Sequence, residues 1–233
     1  MNRAPSLPEQ EALLALDTSG LFGSVAVSRA GEVLAQLTLA EPREHASRLI
    51  PAVEDALNEA GVSRTELTGV VVGEGPGSFT GVRVAAATAK GLVHALGIPL
   101  WAVSSLTAAA VASDVGPVRY VLFDARGDRV YGACYGVGAT GVQELVAPHG
   151  GILRDALAGD VPAGAVFLGD GAERHQAAIE AAGFPVDADQ RDSFAVGLLR
   201  YLSLHAATAP VLDPSGWEPT YVRASSAERL WPT

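Results

Sequence analysis

The sequence predicts an α/β protein made of two similar halves, the second of them shortened. Short apolar runs typical of buried strands alternate with longer runs of helical periodicity, in the order β-β-β-α-β-α-β. A strand, an Asp-x-x-Gly turn and a second strand open the chain, and the same pattern recurs after a linker at residues 113–117. Because a repeat of this kind indicates duplicated subdomains, we place one subdomain at residues 1–113 and the other at residues 114–233.

The first half opens with three predicted strands. An apolar strand at residues 12–16 ends in the turn Asp17-Thr18-Ser19-Gly20. Strands at residues 22–28 and 32–39 follow, the latter with side chains that alternate between apolar and polar. This pattern predicts an antiparallel meander.

The first predicted helix covers residues 46–60. Apolar residues recur there at the three- and four-residue spacing of one helix face. Gly61 is a good C-terminal stop, and Pro51 lies inside the pattern, where it predicts a kink or a later start.

A glycine-rich stretch at residues 73–83 joins a buried strand at 70–72 to an apolar helix at 82–96, which is followed by a strand at 100–103. Its glycines allow positive φ and close backbone approach, its proline fixes φ, and its hydroxyl residues can cap the helix. A turn of this kind directs backbone N–H groups outward from a helix N-terminus, where an anion could bind. The residues that shape the turn are Gly73, Gly75, Pro76, Gly77, Ser78 and Thr80.

The common phosphate-binding motifs do not fit this stretch. A Walker A loop ends in Gly-Lys-Ser/Thr, whereas here no lysine occurs before Lys90. The dinucleotide fingerprint fails at its last glycine, which is replaced by Ser78 or Thr80 depending on the starting position. A purely structural turn therefore stands beside the anion-binding interpretation.

The second half repeats the opening of the first. A strand at residues 120–123 leads through the turn Asp124-Ala125-Arg126-Gly127 into a strand at 129–135. A strand and turn at residues 166–171 and helices at 172–182 and 193–207 complete this half.

Charge and composition limit the possible functions. The chain carries 26 acidic against 16 basic residues, a formal charge of −10, without a basic cluster that would hold nucleic acid by itself. Cys134 is the only cysteine, which excludes an intramolecular disulfide and suits a reducing compartment. Residues 1–11 lack a signal-peptide pattern and no apolar run is long enough to span a membrane, so we expect a cytoplasmic protein without membrane contact.

The stretch Gly-x-Gly-Pro-Gly-Ser-Phe-Thr-Gly-Val-Arg resembles the signature of the TsaB (YeaZ) family, a non-catalytic subunit in bacterial tRNA threonylcarbamoyladenosine synthesis. The resemblance extends over the first half, residues 124–135 and the tail around Tyr221-Val222-Arg223. It implies the actin-like (ASKHA, ribonuclease H-like) fold of sugar kinases and Hsp70 chaperones, in which a nucleotide lies between the halves. Asp17 and Asp124 would match the phosphate-facing turns of that fold. Gly169 and the two residues after it would match the adenosine-side turn.

The resemblance also implies a function. The chain would bind and activate a TsaD-type catalytic subunit, which transfers a threonylcarbamoyl group to N6 of adenosine 37 in tRNA. Further implied partners are a TsaE-type ATPase, a second copy of the chain when it is isolated, and tRNA only within the complex. ATP and a metal would belong to the partner subunit, with no cofactor in this chain.

No catalytic or metal-binding residues are expected. The family's catalytic paralogue carries a His-x-x-x-His metal pair, but the corresponding region here, residues 103–109, has no histidine. The five histidines are too scattered for helical metal-ligand spacing: His45, His94, His149, His175 and His205. Cys134 is interpreted as a core residue, and Asp17 and Asp124 are equally consistent with simple turn formers.

The predicted partner interface lies on the first two helices. In the family these helices meet the equivalent pair of the catalytic subunit in a bundle. The second helix is apolar nearly all round and carries small residues that permit close helix approach, although an enclosed core helix would have the same composition. His45 could instead cap the first helix. The predicted interface residues are His45, Leu49, Val53, Arg83, Ala85, Ala86 and Ala89.

Two other functions remain open on the sequence alone. One is an ATP-dependent enzyme of the actin-like fold, such as a small-molecule kinase that uses Asp17 and Asp124. The other is a glycoprotease-like peptidase, an interpretation found only in older naming of related proteins. No catalytic base or nucleophile–base set for either reaction is recognisable in the chain.

Overall fold

The structure is a computed structural model that describes residues 11–41, 44–187 and 193–220. The predictions made for the N-terminal segment, for the residues just before His45 and for the tail at Tyr221-Val222-Arg223 lie outside the described residues. Two five-stranded mixed sheets form the centres of two lobes. Within the described part of the chain, no helix is both long and apolar enough to cross a membrane.

The first lobe is built on a sheet with strand order β3-β2-β1-β4-β5. The strands β1–β2–β3 form the predicted antiparallel meander, and β4 and β5 add in parallel to β1. Its elements are β1 (Ala12–Asp17), β2 (Gly23–Arg29), β3 (Glu32–Leu39), α1 (His45–Ala60), β4 (Leu67–Gly73), α2 (Phe79–Leu96), β5 (Leu100–Val103) and α3 (Ser105–Ala112).

The second lobe repeats this topology with strand order β10-β9-β6-β7-β8. Its first strand again pairs antiparallel with the next strand on one side and parallel with a later strand on the other. The helix between β8 and β9 is much shorter than α1, which is the predicted shortening. The elements are β6 (Val118–Asp124), β7 (Arg129–Gly138), β8 (Gly141–Ile152), α4 (Leu153–Ala158), β9 (Val166–Leu168), α5 (Asp170–Arg174), α6 (Gln176–Ala181), β10 (Val186–Asp187) and α7 (Phe194–Leu204).

The last helix belongs to the first lobe in space. Side chains of α7, among them Leu198 and Leu202, pack with Leu13 and Val71 on the face of the first sheet that α1 and α2 leave free. The segment up to residue 220 continues along the same lobe. The structure therefore differs from the division at residue 114, because α7, together with Ala108 of α3, covers the apolar face of the first sheet.

The helices α1 and α2 cover the other face of the first sheet. α1 begins at His45, runs through Pro51 and ends at Gly61, whose φ of 63° is the predicted left-handed stop. Ile50, predicted to be on its apolar stripe, is 46% exposed. α2 begins at Phe79, earlier than predicted, and ends before Gly97.

Candidate functional site

The glycine-rich turn before α2 packs closely against the turn that follows β1. The Ser78 N–H donates to the Ser19 carbonyl over 2.7 Å, and the Thr18 hydroxyl donates to the Gly81 carbonyl over 2.6 Å. A Cβ atom at Gly77 would collide with the Ser19 carbonyl oxygen, and one at Gly81 with that of Thr18. Glycine is therefore required at these two positions by close backbone contact between the two turns.

Asp17 lies at the centre of this contact and is fully buried. One carboxylate oxygen accepts the Ser19 N–H (2.7 Å) and the Ser19 hydroxyl (2.6 Å), and the other accepts the Ser105 hydroxyl (2.7 Å). The Gly73 backbone packs so closely on the carboxylate that a Cβ atom there would overlap it. Burial raises the pKa of Asp17, and the three hydrogen bonds only reduce this effect. Asp17 is thus a structural carboxylate.

Two further backbone donors of the glycine-rich turn bond within the protein. The Glu74 N–H donates to the Val103 carbonyl (3.0 Å) and the Gly75 N–H to the Ser105 hydroxyl (3.1 Å). These donors, like that of Ser78, are therefore not available to an anion, which corrects the anion-binding interpretation for the part of the turn that they form.

The individual roles predicted for the turn are confirmed only in part. Gly75 has a positive φ of 90°, whereas Gly73 and Gly77 do not and serve close approach instead. Ser78 caps α2 by accepting the Gly81 N–H at 3.3 Å. The capping role of Thr80 is wrong, because Thr80 already lies inside the helix, where its side chain is exposed.

Asp124 occupies the equivalent turn of the second lobe but in a more open setting. Its carboxylate accepts the Arg126 N–H (2.8 Å) and pairs with Arg174 (3.1 Å), while its own N–H donates to the Asp170 carboxylate (3.1 Å). Gly169, with φ of 97°, precedes α5 and lies beside the Leu122 carbonyl. Burial raises the pKa of Asp170.

A cleft between the lobes lies beside these turns. The described residues that line it include Phe22, Ser24, Asp170, Glu173 and Phe194, but no lysine or arginine. The Phe194 ring stacks on Phe123 and fills the space against Gly20, where a Cβ atom would be 2.8 Å from the ring. A nucleotide phosphate needs cations or free N–H donors. The described lining of this cleft, with the carboxylates of Asp170 and Glu173 and without a cation, does not favour a phosphate.

Most of the predicted interface residues face the protein interior. His45 is 4% exposed, and burial lowers its pKa. The others pack in the core between the helices and the first sheet, so the structure corrects their placement at a partner surface. The physical reason is that α2 carries small residues on two of its faces. The sheet packs against the face on which the small residues alternate with larger apolar side chains. These inward residues are His45, Leu49, Val53, Ala85, Ala86 and Ala89.

The opposite side of α2 is exposed and has small residues at its centre. We define the α2 outer face as Thr80, Arg83, Ala87, Gly91 and His94, which are all exposed. They follow one another at intervals of three or four residues, the spacing of a helix-packing stripe. Nothing lies within 4 Å of a Cβ atom placed on Gly91. Of this face, only Arg83 was among the interface residues predicted from the sequence.

The borders of the α2 outer face are apolar or partly so. The Arg83 guanidinium lies 3.8 Å from the centre of the Phe79 ring, and Phe79 itself is 43% exposed. α1 packs beside α2 and exposes Ile50. Exposed aromatic and aliphatic side chains next to small residues are typical of a surface that another protein covers.

The remaining candidate groups are the Cys134 thiol and possible metal ligands. Cys134 is buried in β7, and burial raises the pKa of its thiol to about 11. Over residues 11–41, 44–187 and 193–220, no group of three or more His, Cys, Asp or Glu side chains could hold a metal ion.

The matching topology of the two lobes defines the actin-like fold. The solved structure of the ethanolamine utilization protein EutJ from Carboxydothermus hydrogenoformans has the same fold, with a TM-score of 0.50 at 12% identity, over 85% of this chain and 92% of that one. The family model for TsaD, tRNA N6-adenosine threonylcarbamoyltransferase, matches residues 32–198.

Relatives with higher sequence identity show which family of the actin-like fold the chain belongs to. The tRNA threonylcarbamoyladenosine biosynthesis protein TsaB of Bacillus subtilis is 33% identical over 94% of this chain and 97% of its own length. The protein of that name from Escherichia coli is 40% identical over 53% of this chain and 54% of its own. YeaZ from Pseudomonas aeruginosa superposes with a TM-score of 0.76 at 31% identity, over 91% of this chain and 99% of that one. The chain belongs to the TsaB (YeaZ) family.

Proposed function

We propose that this chain is a non-catalytic subunit in tRNA threonylcarbamoyladenosine synthesis, which binds a TsaD-type catalytic subunit and activates it. The catalytic subunit would transfer the threonylcarbamoyl group to N6 of adenosine 37 in tRNA. The observation that carries this proposal is the use of Asp17: its carboxylate holds the chain's own turns together. The family membership supports the pathway, and the α2 outer face supports the role as a binding subunit.

The α2 outer face is the proposed contact with the catalytic subunit. Helices that pack through small side chains bring their axes to about 8 Å, and Ala87 and Gly91 leave room for such an approach. Arg83 and His94 add polar groups to this stripe, and the neighbouring helix α1 exposes the apolar side chain of Ile50. A partner with a similar helix pair would bury the stripe, and a second copy of this chain could do so when the catalytic subunit is absent.

The charge of the chain supports an indirect role toward tRNA. A formal charge of −10 opposes contact with a phosphate backbone. We therefore assign tRNA, ATP and the metal to the catalytic subunit and to a TsaE-type ATPase of the same complex. The cytoplasm, where tRNA is modified, would be the place of action.

Substitutions on the α2 outer face test the proposal. Glutamate at Ala87 or Gly91 would place a charge in a dry helix contact, where an unpaired carboxylate costs several kcal/mol. Since each 1.4 kcal/mol is about tenfold in affinity, we expect binding to the TsaD-type subunit of the same organism to weaken about a hundredfold. Calorimetry would measure the affinity, and circular dichroism would show that the variants remain folded.

Ala181→Glu is the matched control, because Ala181 is an exposed helical alanine in the second lobe. It should bind like the wild type. If Ala87→Glu and Gly91→Glu are folded and bind the catalytic subunit as tightly as this control, the α2 outer face is not the interface. If the wild type itself does not bind that subunit, the proposed function is rejected.

A further inference from the structure

Residues 208–220, which we call the C-terminal strap, cross the edge of the first sheet. The sheet ends at β5, whose outer backbone groups would otherwise lack a neighbouring strand. The Val211 N–H donates to the Leu100 carbonyl over 2.8 Å, and the Trp101 indole N–H donates to the Thr208 carbonyl over 3.1 Å. The strap thus covers the β5 edge at its first contact.

The strap then runs along the side of α2. The Lys90 ammonium donates to the Ser215 carbonyl over 3.1 Å and lies 5.9 Å from the centre of the Trp217 ring. Val211 and Trp217 both pack against the core between α2 and the sheet. Asp213 shapes the bend between them, because its carboxylate accepts the Ser215 N–H at 3.0 Å. The second contact therefore fixes the strap to the middle of the helix.

The third contact is with the glycine-rich turn and centres on Glu74. The Thr220 N–H donates to the Glu74 carbonyl over 3.0 Å. The half-buried Glu74 carboxylate faces the side chains of Thr220 and Trp217, and hydrogen bonding to them lowers its pKa. At Gly75 a Cβ atom would be 3.2 Å from the Thr220 carbonyl oxygen, so the strap lies directly on the turn. Burial raises the pKa of Glu74, against the effect of these hydrogen bonds.

We propose that Glu74 is a clasp that locks the C-terminal strap onto the glycine-rich turn, and that the locked strap sets the position of α2 for partner binding. Glu74 is a positioning residue, because it acts through the strap and through α2. Two donors from one segment converge on its carboxylate, and its backbone carbonyl accepts a third bond from the same segment. The functional half of this inference rests on the proposed function, whereas the clasp itself can be tested on the isolated chain.

The clasp is tested by hydrogen–deuterium exchange of the full chain, followed by mass spectrometry. In Glu74→Ala, amides of residues 208–220 and 74–80 should exchange at least tenfold faster, while those of the second sheet at residues 118–138 remain unchanged. Glu74→Gln keeps one side-chain acceptor and should show a smaller increase. Glu218→Ala, which removes an exposed carboxylate from the same strap, should behave like the wild type.

The effect on function is measured as affinity for the TsaD-type subunit. We expect Glu74→Ala to weaken binding at least fivefold, with partial recovery in Glu74→Gln. If Glu74→Ala does not fold, Trp217→Phe replaces it, since it removes one donor and keeps an aromatic ring against Lys90. Unchanged exchange of the strap, or faster exchange with unchanged affinity, would overturn the inference. Absence of binding by the wild type would reject the proposed function instead, and the exchange result would still decide the clasp.

Discussion

Two glycines of α2 provide a stringent test of how the glycine-rich turn is seated. Gly81, in the first turn of the helix, faces the turn after β1, and a Cβ atom there would collide with the Thr18 carbonyl oxygen. Gly91, nearly three turns further on, has open space around the same position. Alanine at each position makes the same chemical change in the same helix, so the difference between the variants reports the contact with Thr18.

The two substitutions should change the stability of the protein in opposite directions. Gly91→Ala should stabilise the protein by about 0.5–1 kcal/mol, because alanine loses less conformational freedom in a helix. Gly81→Ala should destabilise it, since the added methyl group meets rigid backbone, and overpacking costs about 1–3 kcal/mol. Displacement of Thr18 would also weaken its buried hydrogen bond to Gly81, worth about 1 kcal/mol. The two variants should therefore differ by about 3 kcal/mol.

Thermal unfolding followed by circular dichroism measures this difference. For a chain of this length, 1 kcal/mol corresponds to about 2–4 °C in Tm, so the Tm values should be separated by on the order of 10 °C. Urea unfolding would supply the free energies at one temperature. Equal stability of the two variants would refute the packing of the glycine-rich turn on the turn after β1.

Two further predictions concern buried groups. Ala89→Glu should unfold the chain or lower its free energy of unfolding by several kcal/mol, because Ala89 is fully buried against the first sheet. Circular dichroism checks whether the variant is folded. A folded variant of wild-type stability would contradict the core placement of Ala89. Asp17→Asn should change the pH dependence of stability. Since the folded pKa of Asp17 is raised above its ordinary value of 3.8, the native state binds more protons than the unfolded state between these two values. The wild type should therefore lose stability as pH rises through this window, and the loss should be complete above the folded pKa. Asp17→Asn should lack this slope of the free energy of unfolding against pH. Urea unfolding over a pH series measures both proteins, and identical slopes would contradict the buried position of Asp17.

Eight of the ten strands that the structure describes, and their succession along the chain, could be predicted from the sequence. The strand cores are apolar runs, and the turns that separate them contain Asp and Gly at matching places in each half. These are local signals, and the structure confirms them within a few residues. β8, β10, α3 and α4 were not predicted. β8 mixes apolar, polar and glycine residues and has no fully buried position, and α3 is a short, fully buried helix without periodicity. β10 has only two residues and α4 only six.

The faces of α2 could not be assigned from the sequence. The helix carries small apolar residues all round, so its periodicity does not indicate which side meets the sheet. The answer depends on β4, on α1 and on the strap, whose Trp217 lies far along the chain. The hydrogen-bond environment of Asp17 could not be predicted for a related reason, because its partner Ser105 is 88 residues away in the sequence.

The buried Asp17 is consistent with the proposed role as a binding subunit. The resemblance places the turn after β1 opposite a phosphate in an actin-like kinase, but here the Asp17 carboxylate accepts hydrogen bonds from Ser19 and Ser105, and the Ser19 carbonyl accepts one from the glycine-rich turn. The same glycine-rich turn is held from its other side by the strap through Glu74. Two internal contacts thus fix the start of α2, and a helix fixed in this way can present its outer face to a partner with little further loss of conformational freedom. A rigid docking helix is what a subunit that acts by binding requires.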